Sequence, residues 1–424
     1  MKRFIAILLL LCTLALLAPA FASCAKDKDV VTLYVYNWGE YISDGSDGSL
    51  DVNLAFEEWY NSQGFAKKVK INYSTFSSNE SMYAKLSSGA SNYDIVIPSD
   101  YMIARMISEG MLRELNFGNI PNHENIDYAR VFKDYPNNAP YYDTEKKYSV
   151  PYTYGTVGLI YNTEVVDPAD LDTWDLLWNA DYTGNILQFN NSRDAFATAL
   201  YRLGYSVNTT NEAEWREALQ LLKEQKALVQ SYVMDEIYNK MKSNSAAIAP
   251  YYAGDFFAMY ADNPQLDFSY PTEGSNIFVD AMCIPKSSKN PEIAEAYINF
   301  MLGKEAAQAN AEYICYASPN KLLYNSETGL FDEDYAATMT ELHEDALDIL
   351  YMTDGIPFEA FDNLPPEQLS LLNSLWEELK IESSVSNSIY ILAFVILIAG
   401  IAAAVFFFVR ARKRRRIVET LWNN

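Results

Sequence analysis

Short runs rich in β-branched and aromatic residues alternate with longer runs of helical spacing along much of this chain. YDIVIP leads into MIARMISEGM, NILQF into AFATALYRLG, and AAIAP into FFAMYA. A strand followed each time by a helix is typical of β-α units, whose strands lie parallel. With 424 residues, half of them hydrophobic, the chain is long enough for two buried cores. The pattern therefore predicts an α/β protein of two lobes.

Acidic and aromatic residues follow the ends of the predicted strands. TLYVY is followed by NWGEY, YDIVIP by SDY, NILQF by NNSRD, and AAIAP by YYAGD. Ligands of open α/β sheets bind outside the carboxyl ends of the strands, so a site would be assembled from these loops. In any single loop, Asp, Asn or Ser is explained equally well as a helix N-cap. Their recurrence favours a binding site.

Carboxylates combined with aromatic rings suit an organic ammonium ligand. Carboxylates accept charge-assisted hydrogen bonds from it, and ring faces attract it by about 0.5–2 kcal/mol each. The same rings cover methylene groups, so a polyamine would use both residue types. The 56 acidic and 32 basic residues agree with a cationic ligand and argue against a nucleic-acid partner, although solubility alone would also explain this charge.

Several classes of enzyme are disfavoured by the sequence. His123 and His343 are the two histidines, and neither has a metal-ligand spacing or a neighbouring nucleophile signature, which argues against zinc hydrolysis and a His-based triad. Neither GxxxxGK[ST] nor GxGxxG occurs. We therefore expect no metal and no cofactor. A pair of carboxylates acting as general acid and base on a polysaccharide remains an alternative.

Both ends of the chain carry features of an exported, membrane-anchored protein. Residues 1–24 are interpreted as an export signal, and FASC resembles a lipobox in which Cys24 is acylated; ordinary cleavage after Ala22 is the alternative. Residues 389–409 are apolar and long enough for a transmembrane helix. The basic tail, residues 410–424, would then be cytoplasmic, and the ligand-binding part extracytoplasmic.

Some features need only a structural explanation. In FSSNESMYAKLSSG, Ser77 and Glu80 have the spacing of a capping box, and DVNLAFEEWY has the spacing of a helix with one solvated face. Asp100 is interpreted as an N-cap. Two buried thiols at Cys283 and Cys315 are at least as well supported as a disulfide between them.

Eight segments together resemble the bacterial spermidine/putrescine-binding proteins, the solute receptors of polyamine ABC transporters. The likeness runs from about Val31 to beyond Pro319, and the segments are YVYNWGEYI, STFSSNESMYAKL, YDIVIPSDY, YSVPYTYGTVGLIYN, TWDLLWNADYTGNI, LGYSVNTTN, PTEGSNIFVDAMCIP and YASPN. The resemblance implies a monomer that passes its ligand to an ABC permease and a separate ATPase. It also implies a type II periplasmic-binding fold of two lobes that close on the ligand. We expect residues 30–149 and 281–337 in lobe 1, and 150–280 and 338–382 in lobe 2.

The resemblance also implies which residues bind the ligand. The matching positions are Trp38, Glu40, Tyr41, Ser99, Tyr101, Asp194, Tyr252, Asp255, Phe278, Asp280 and Tyr316. Asp280 and Asp194 would each hold an ammonium group, with Asp255 and Glu40 adding charge. The Tyr and Phe rings would enclose the methylene groups, while Trp38 and Ser99 would shape one end.

Departures from the family pattern leave the ligand's length open. Asn191 stands where spermidine-preferring receptors have Asp, whereas Asp255 matches an acid of the putrescine-preferring type. Tyr252 and Phe278 replace Trp, which weakens the expected ring contact. A receptor of the same fold for another cationic or small solute is the first alternative function. A protein that senses a polyamine and signals through its helix is a further alternative, although the tail after Arg416 is too short for a signalling domain.

Overall fold

A computed structural model of the protein describes residues 30–89, 92–133, 135–351 and 355–381. The predicted export signal with Cys24, the predicted transmembrane segment 389–409 and the basic tail lie outside these ranges. Within them, no helix combines the length and the apolar character needed to cross a bilayer.

The secondary structure of the described residues confirms the alternation of strands and helices. The strands are β1 Val30–Trp38, β2 Lys68–Phe76, β3 Ile95–Val96, β4 Ser149–Asn162, β5 Ile186–Phe189, β6 Val229–Val233, β7 Ile248–Tyr252, β8 Leu266–Ser269, β9 Ser275–Cys283, β10 Tyr324–Asn325, β11 Leu330–Phe331 and β12 Phe358–Ala360. The α-helices are α1 Val52–Ser62, α2 Asn79–Ser87, α3 Asp100–Ser108, α4 Tyr128–Val131, α5 Ser192–Arg202, α6 Glu212–Gln225, α7 Glu236–Lys242, α8 Ala253–Tyr260, α9 Pro291–Met301, α10 Lys304–Ile314, α11 Glu333–Leu342, α12 Ala346–Tyr351 and α13 Pro366–Ile381.

Ten strands form one sheet in the order β2-β1-β3-β9-β4-β7-β5-β6, with β12 beside β9 and β8 beside β4. β1 is parallel to β2 and β3, and β5 is parallel to β6 and β7, as the predicted β-α units require. The two parallel groups are joined by β4 and β9, which run antiparallel to each other.

Strand β4 is long enough to take part in both groups. Its first part, Ser149 to Thr156, pairs with β9, and its second part, Val157 to Asn162, pairs with β7 and β8. The chain therefore passes from one half of the molecule to the other along a continuous strand rather than through a loose linker.

Buried side chains form separate cores on the two sides of this crossing. Two neighbouring clusters surround β1, β3 and β9. A larger cluster is built on β5 and β7 and is covered by α5, α6, α8 and the C-terminal α13. Tyr101 packs against clusters of both halves, so the halves are in contact across the space between them.

Two predicted helix caps were wrong by one residue. The capping box of α2 joins Ser78 and Ser81, not Ser77 and Glu80: each serine hydroxyl accepts a hydrogen bond from the other residue's backbone N–H. At α3 the N-cap is Ser99, because its backbone is still extended where it bridges to β9. Asp100 is instead the first helical residue and is fully buried.

The two cysteines in the described part of the chain are free and buried. Cys283 lies at the end of β9, whereas Cys315 follows α10 in the left-handed conformation, with a φ of 57°. This confirms the interpretation as two buried thiols.

Candidate ligand-binding cleft

A cavity lies where the two halves of the molecule meet and, with its open mouth, encloses about 920 Å³. The loops after β1, β2 and β3 line it from one half, and the loops after β5, β6 and β7 line it from the other. All eleven residues that the sequence predicted for the site line this one cavity, namely Trp38, Glu40, Tyr41, Ser99, Tyr101, Asp194, Tyr252, Asp255, Phe278, Asp280 and Tyr316. Their role in ligand binding remains a prediction.

Asp280 lies on β9 and is 3 % exposed. Its Oδ2 accepts a 2.7 Å hydrogen bond from the Tyr41 hydroxyl, which is also 2.6 Å from Thr153 Oγ1. Its Oδ1 is buried and has no hydrogen-bond partner among the described residues. Because an unsatisfied buried acceptor costs free energy, this oxygen is a natural contact for a donor on a ligand.

Asp194 stands in the first turn of α5 and is supported by its neighbours. Asn191 Nδ2 donates to Asp194 Oδ2 at 2.6 Å, and the Tyr252 hydroxyl donates to the same oxygen at 3.0 Å. Asn191 Oδ1 in turn accepts from the Asp194 backbone N–H at 2.8 Å and caps the helix. The Asn191 side chain therefore orients Asp194 through hydrogen bonds, which an uncharged amide can form.

The other two predicted acids differ in their surroundings. Asp255, in the first turn of α8, accepts a 2.8 Å hydrogen bond from the hydroxyl of Tyr238 on α7. Glu40 is exposed at the cavity edge and has a positive φ of 49°. Asp255 is thus held in place inside the cavity, whereas the Glu40 side chain accepts no such hydrogen bond from the residues that the structure describes.

Burial raises the pKa of four carboxyl groups in the cavity, those of Asp100, Asp194, Asp255 and Asp280. The pKa of Asp280 is raised to about 6, a rise limited by the nearby Ser99 and Tyr41 hydroxyls, and that of Asp194 is also raised to about 6. For Asp255 and Asp100, burial raises the pKa to about 7. An entering cation would favour the charged forms and lower these values.

Aromatic rings form a connected wall of the cavity. The Tyr41 and Tyr316 rings meet edge to face at 5.1 Å between centroids, and Phe278 contacts Tyr252 at 5.4 Å and Tyr316 at 6.0 Å. A Cβ atom at Gly254 would lie 2.3 Å from the Tyr316 ring. Glycine at this position is therefore what allows the ring to lie against α8.

The sequence analysis missed several residues of the cavity, among them Asn79, Glu80, Asp100, Arg193, Asp235 and Tyr238. Tyr101 connects two of them: its hydroxyl donates to Glu80 at 2.9 Å and accepts from Asn79 Nδ2 at 3.2 Å. The segment FSSNES follows β2, so the strand-end rule applied to the other loops would have included it. We explained the residues of that segment as helix caps, so their position directly after a strand did not count as evidence for the site.

No group of three or more His, Cys, Asp or Glu side chains in the described residues is arranged to hold a metal ion. The two histidines have structural surroundings instead. His123 packs against Phe117 at 4.8 Å between ring centroids, and His343 packs against Tyr260 at 4.6 Å.

A family model described as bacterial extracellular solute-binding protein matches residues 55–338. The chain belongs to this family. Membership agrees with the cleft between the two halves, because small solutes bind in concave cavities.

Curated relatives and solved structures extend the likeness over most of the chain. The spermidine/putrescine-binding periplasmic protein of Escherichia coli K12 is 34% identical over 302 residues, covering 70% of this chain and 80% of that protein. The putrescine-binding periplasmic protein SpuD of Pseudomonas aeruginosa is 28% identical over 336 residues, covering 76% and 86%. A putative spermidine/putrescine ABC transporter structure from Listeria monocytogenes has a TM-score of 0.70 at 34% identity, covering 83% of this chain and 99% of that one. The expected two-lobed periplasmic-binding α/β fold is confirmed.

Proposed function

We propose that the protein is an extracytoplasmic receptor that binds a polyamine, putrescine or spermidine, and delivers it to an ABC permease driven by a separate ATPase. The observation that carries the proposal is the charge of the cavity. Among the residues that the structure describes, the cavity is lined by one basic side chain, that of Arg193, and by seven acidic ones, namely Glu40, Glu80, Asp100, Asp194, Asp235, Asp255 and Asp280. Such an excess favours a ligand with more than one positive charge.

The aromatic lining of the cavity favours a cation that also has apolar segments. A polyamine alternates ammonium groups with methylene groups, which need apolar cover. The Tyr252, Phe278 and Tyr316 rings contact one another next to Asp280 and Asp194, so charged and apolar contacts lie side by side. We assign the two ammonium contacts to Asp280 and Asp194, additional charge to Asp255 and Glu40, and one end of the site to Trp38 and Ser99.

The proposal is tested by calorimetric titration of the purified chain in detergent with putrescine, cadaverine, spermidine and spermine. We expect saturable binding of at least one amine, accompanied by a rise in the unfolding temperature. Butane-1,4-diol is the matched control for putrescine, because it keeps the four methylene groups and replaces both ammonium groups with hydroxyls. It is expected not to bind.

Failure of all four amines to bind would overturn the polyamine assignment. Binding of choline alone would favour the alternative of another cation, since a quaternary group cannot donate hydrogen bonds to the carboxylates. Hydrolysis of a polysaccharide would favour the carboxylate-pair enzyme. Membership in a family of solute-binding proteins argues against that enzyme.

We further propose that the receptor is a monomer anchored by residues 389–409, with residues 410–424 in the cytoplasm and residues 1–24 as its export signal. Lobe 1 would comprise residues 30–149 and 281–337, and lobe 2 residues 150–280 and 338–382. The separate cores on the two sides of β4 and β9 support a division into two lobes, but Ala317, Leu323 and Tyr335 belong to the larger core although this division assigns them to lobe 1. The apolar segment and its basic flank in the sequence support the anchor.

The anchor predicts that the full chain stays with the membrane after a wash with alkaline carbonate, because a transmembrane helix is not extracted by loss of electrostatic contacts. A chain truncated after Glu382 and carrying Cys24→Ser should be released. A truncated chain that keeps Cys24 distinguishes the two modes of attachment. It stays with the membrane if Cys24 carries a lipid and is released if the C-terminal helix is the only anchor. Release of the full chain would contradict the transmembrane proposal.

A further inference from the structure

Arg193 is an unexpected residue in a site for cations. It is the second residue of α5, beside Asp194, and is 6 % exposed. It is the one basic residue that lines the described part of the cavity. By charge alone, a buried guanidinium next to the ligand would oppose the binding of an ammonium group. The position therefore calls for another explanation.

The contacts of Arg193 are with rings and an amide rather than with a carboxylate. Its guanidinium carbon lies 4.3 Å from the Phe361 ring centroid and 5.6 Å from that of Tyr101. Nη2 donates to Asn208 Oδ1 at 3.1 Å, while the buried Nε has no hydrogen-bond partner among the described residues. The planar guanidinium thus packs beside two aromatic rings that also meet each other edge to face, at 6.1 Å between centroids.

The two rings belong to different halves of the molecule. Tyr101 stands on α3, and its hydroxyl is held by Asn79 and Glu80 of the same half. Phe361 follows β12, and Asn208 fixes that segment: it donates to the Ala360 carbonyl at 2.7 Å and accepts from the Asp362 N–H at 2.7 Å. Arg193 consequently contacts both the segment after β12 and α3, which belong to different halves of the molecule.

We propose that Arg193 is a positioning residue that stabilises the closed cleft by joining Phe361 to Tyr101. Opening the cleft would separate Tyr101 from Arg193 and Phe361, whereas Asn208 and Phe361 would stay with Arg193. A contact made only in the closed state shifts the equilibrium toward closure and raises the apparent affinity for any ligand that the closed state binds. The inference rests on the proposed function only where it concerns polyamine affinity.

The sign of the effect in Arg193→Met separates this role from simple charge. If the guanidinium acted only through its charge, its removal would tighten the binding of a cation. We expect the opposite, a rise in Kd for putrescine or spermidine of about tenfold, because an interaction specific to the closed state is lost. Phe361→Leu keeps the charge but removes both the ring beside Arg193 and its edge-to-face contact with Tyr101, so it should change Kd in the same direction. Arg193→Lys should fall between Met and the parent protein.

Arg202→Met is a matched control. Arg202 lies on the same helix and also covers an aromatic ring, with its guanidinium carbon 4.8 Å from the Trp178 ring, but it lies outside the cavity. This variant is expected to leave Kd within about twofold of the parent value, because surface substitutions are usually nearly neutral. A similar loss of affinity in both variants would overturn the proposal, since it would indicate a general effect of weakening α5.

Closure is measured directly by energy transfer between dyes attached at Lys67→Cys on one half and Glu224→Cys on the other, both exposed positions. Arg193→Met and Phe361→Leu should lower the closed fraction without ligand and raise the polyamine concentration needed for closure. An unchanged closed fraction, or tighter amine binding, overturns the proposal. The closed fraction without ligand can be measured even if no polyamine binds. Failure of the proposed function is therefore distinguishable from failure of this inference.

Discussion

Asp280→Asn is expected to weaken polyamine binding by at least about 30-fold. Asp280 is 3 % exposed, its Oδ2 is held by the Tyr41 hydroxyl, and its Oδ1 has no partner in the described residues, so the carboxylate is positioned to receive an ammonium group. Truncating one partner of a buried, hydrogen-bonded charge pair costs about 2–5 kcal/mol of binding free energy, which corresponds to that loss or more. Isothermal titration of the parent and the variant with the same amine measures the change.

Asp267→Asn provides the control for this substitution. Asp267 is a partly buried residue of β8 outside the cavity, and its Oδ2 accepts a 3.0 Å hydrogen bond from the Tyr161 hydroxyl. The chemical change and the type of partner are therefore the same, and we expect less than a twofold change in Kd, roughly the effect of a substitution remote from the ligand. Equal losses in the two variants would contradict the assignment of Asp280.

Asp100 is not a suitable control, contrary to its interpretation as an N-cap. It lines the cavity, and its carboxylate accepts hydrogen bonds from the Tyr101 and Val279 backbone N–H groups and from the Tyr141 hydroxyl. Because both oxygens already have partners, Asp100→Asn should weaken amine binding less than Asp280→Asn. A larger effect at Asp100 would reverse our choice between these two carboxylates.

Affinity for the polyamine is expected to fall steeply on acidification, by about 100-fold between pH 7.5 and pH 5. Burial raises the pKa of Asp280 and Asp194 to about 6 in the ligand-free protein, whereas amines stay protonated over this range. Each carboxylate that must be charged in the complex costs about tenfold in affinity per pH unit below its pKa. Calorimetry across this pH range, in buffers of different ionisation enthalpy, also measures the protons released on binding.

The stability of the ligand-free protein should change with pH in the opposite direction. The native pKa of these carboxyl groups lies above the unfolded value of about 3.9, so the native state binds more protons between about pH 4 and pH 7. Their contribution to the free energy of unfolding therefore increases as the pH falls through this window. Acids outside the cavity with a lowered pKa, such as Asp332 beside Lys304, act in the opposite sense, but only near or below pH 4.

Thermal unfolding with and without amine distinguishes the two effects. Acidification from pH 7.5 to pH 5.5 should raise the unfolding temperature of the free protein and reduce the further rise caused by amine. In Asp280→Asn the pH dependence of the residual affinity should become shallower, because one titrating group is absent. An affinity that does not vary with pH over this range would be incompatible with buried carboxylates as the ammonium contacts.

Strand-end patterns located the cleft but not its full lining. Trp38, Tyr41 and Asp194 were found because they follow the predicted strands TLYVY and NILQF. Glu80 was missed because a capping explanation accounts for Ser and Glu at a helix start equally well. The cap itself was misplaced by one residue, since only the backbone conformation decides which serine begins the helix.

The sequence by itself determined the alternation of strands and helices, the acidic character and the family, because these follow from local periodicity, composition and matching segments. The tertiary structure alone decided which side chains meet. Tyr41 and Asp280 are 239 residues apart, and their hydrogen bond depends on β9 lying between β3 and β4. The contact of Arg193 with both Tyr101 and Phe361 likewise depends on the packing of two lobes. Such contacts are set by strand order and lobe packing over long separations, which local sequence patterns do not specify.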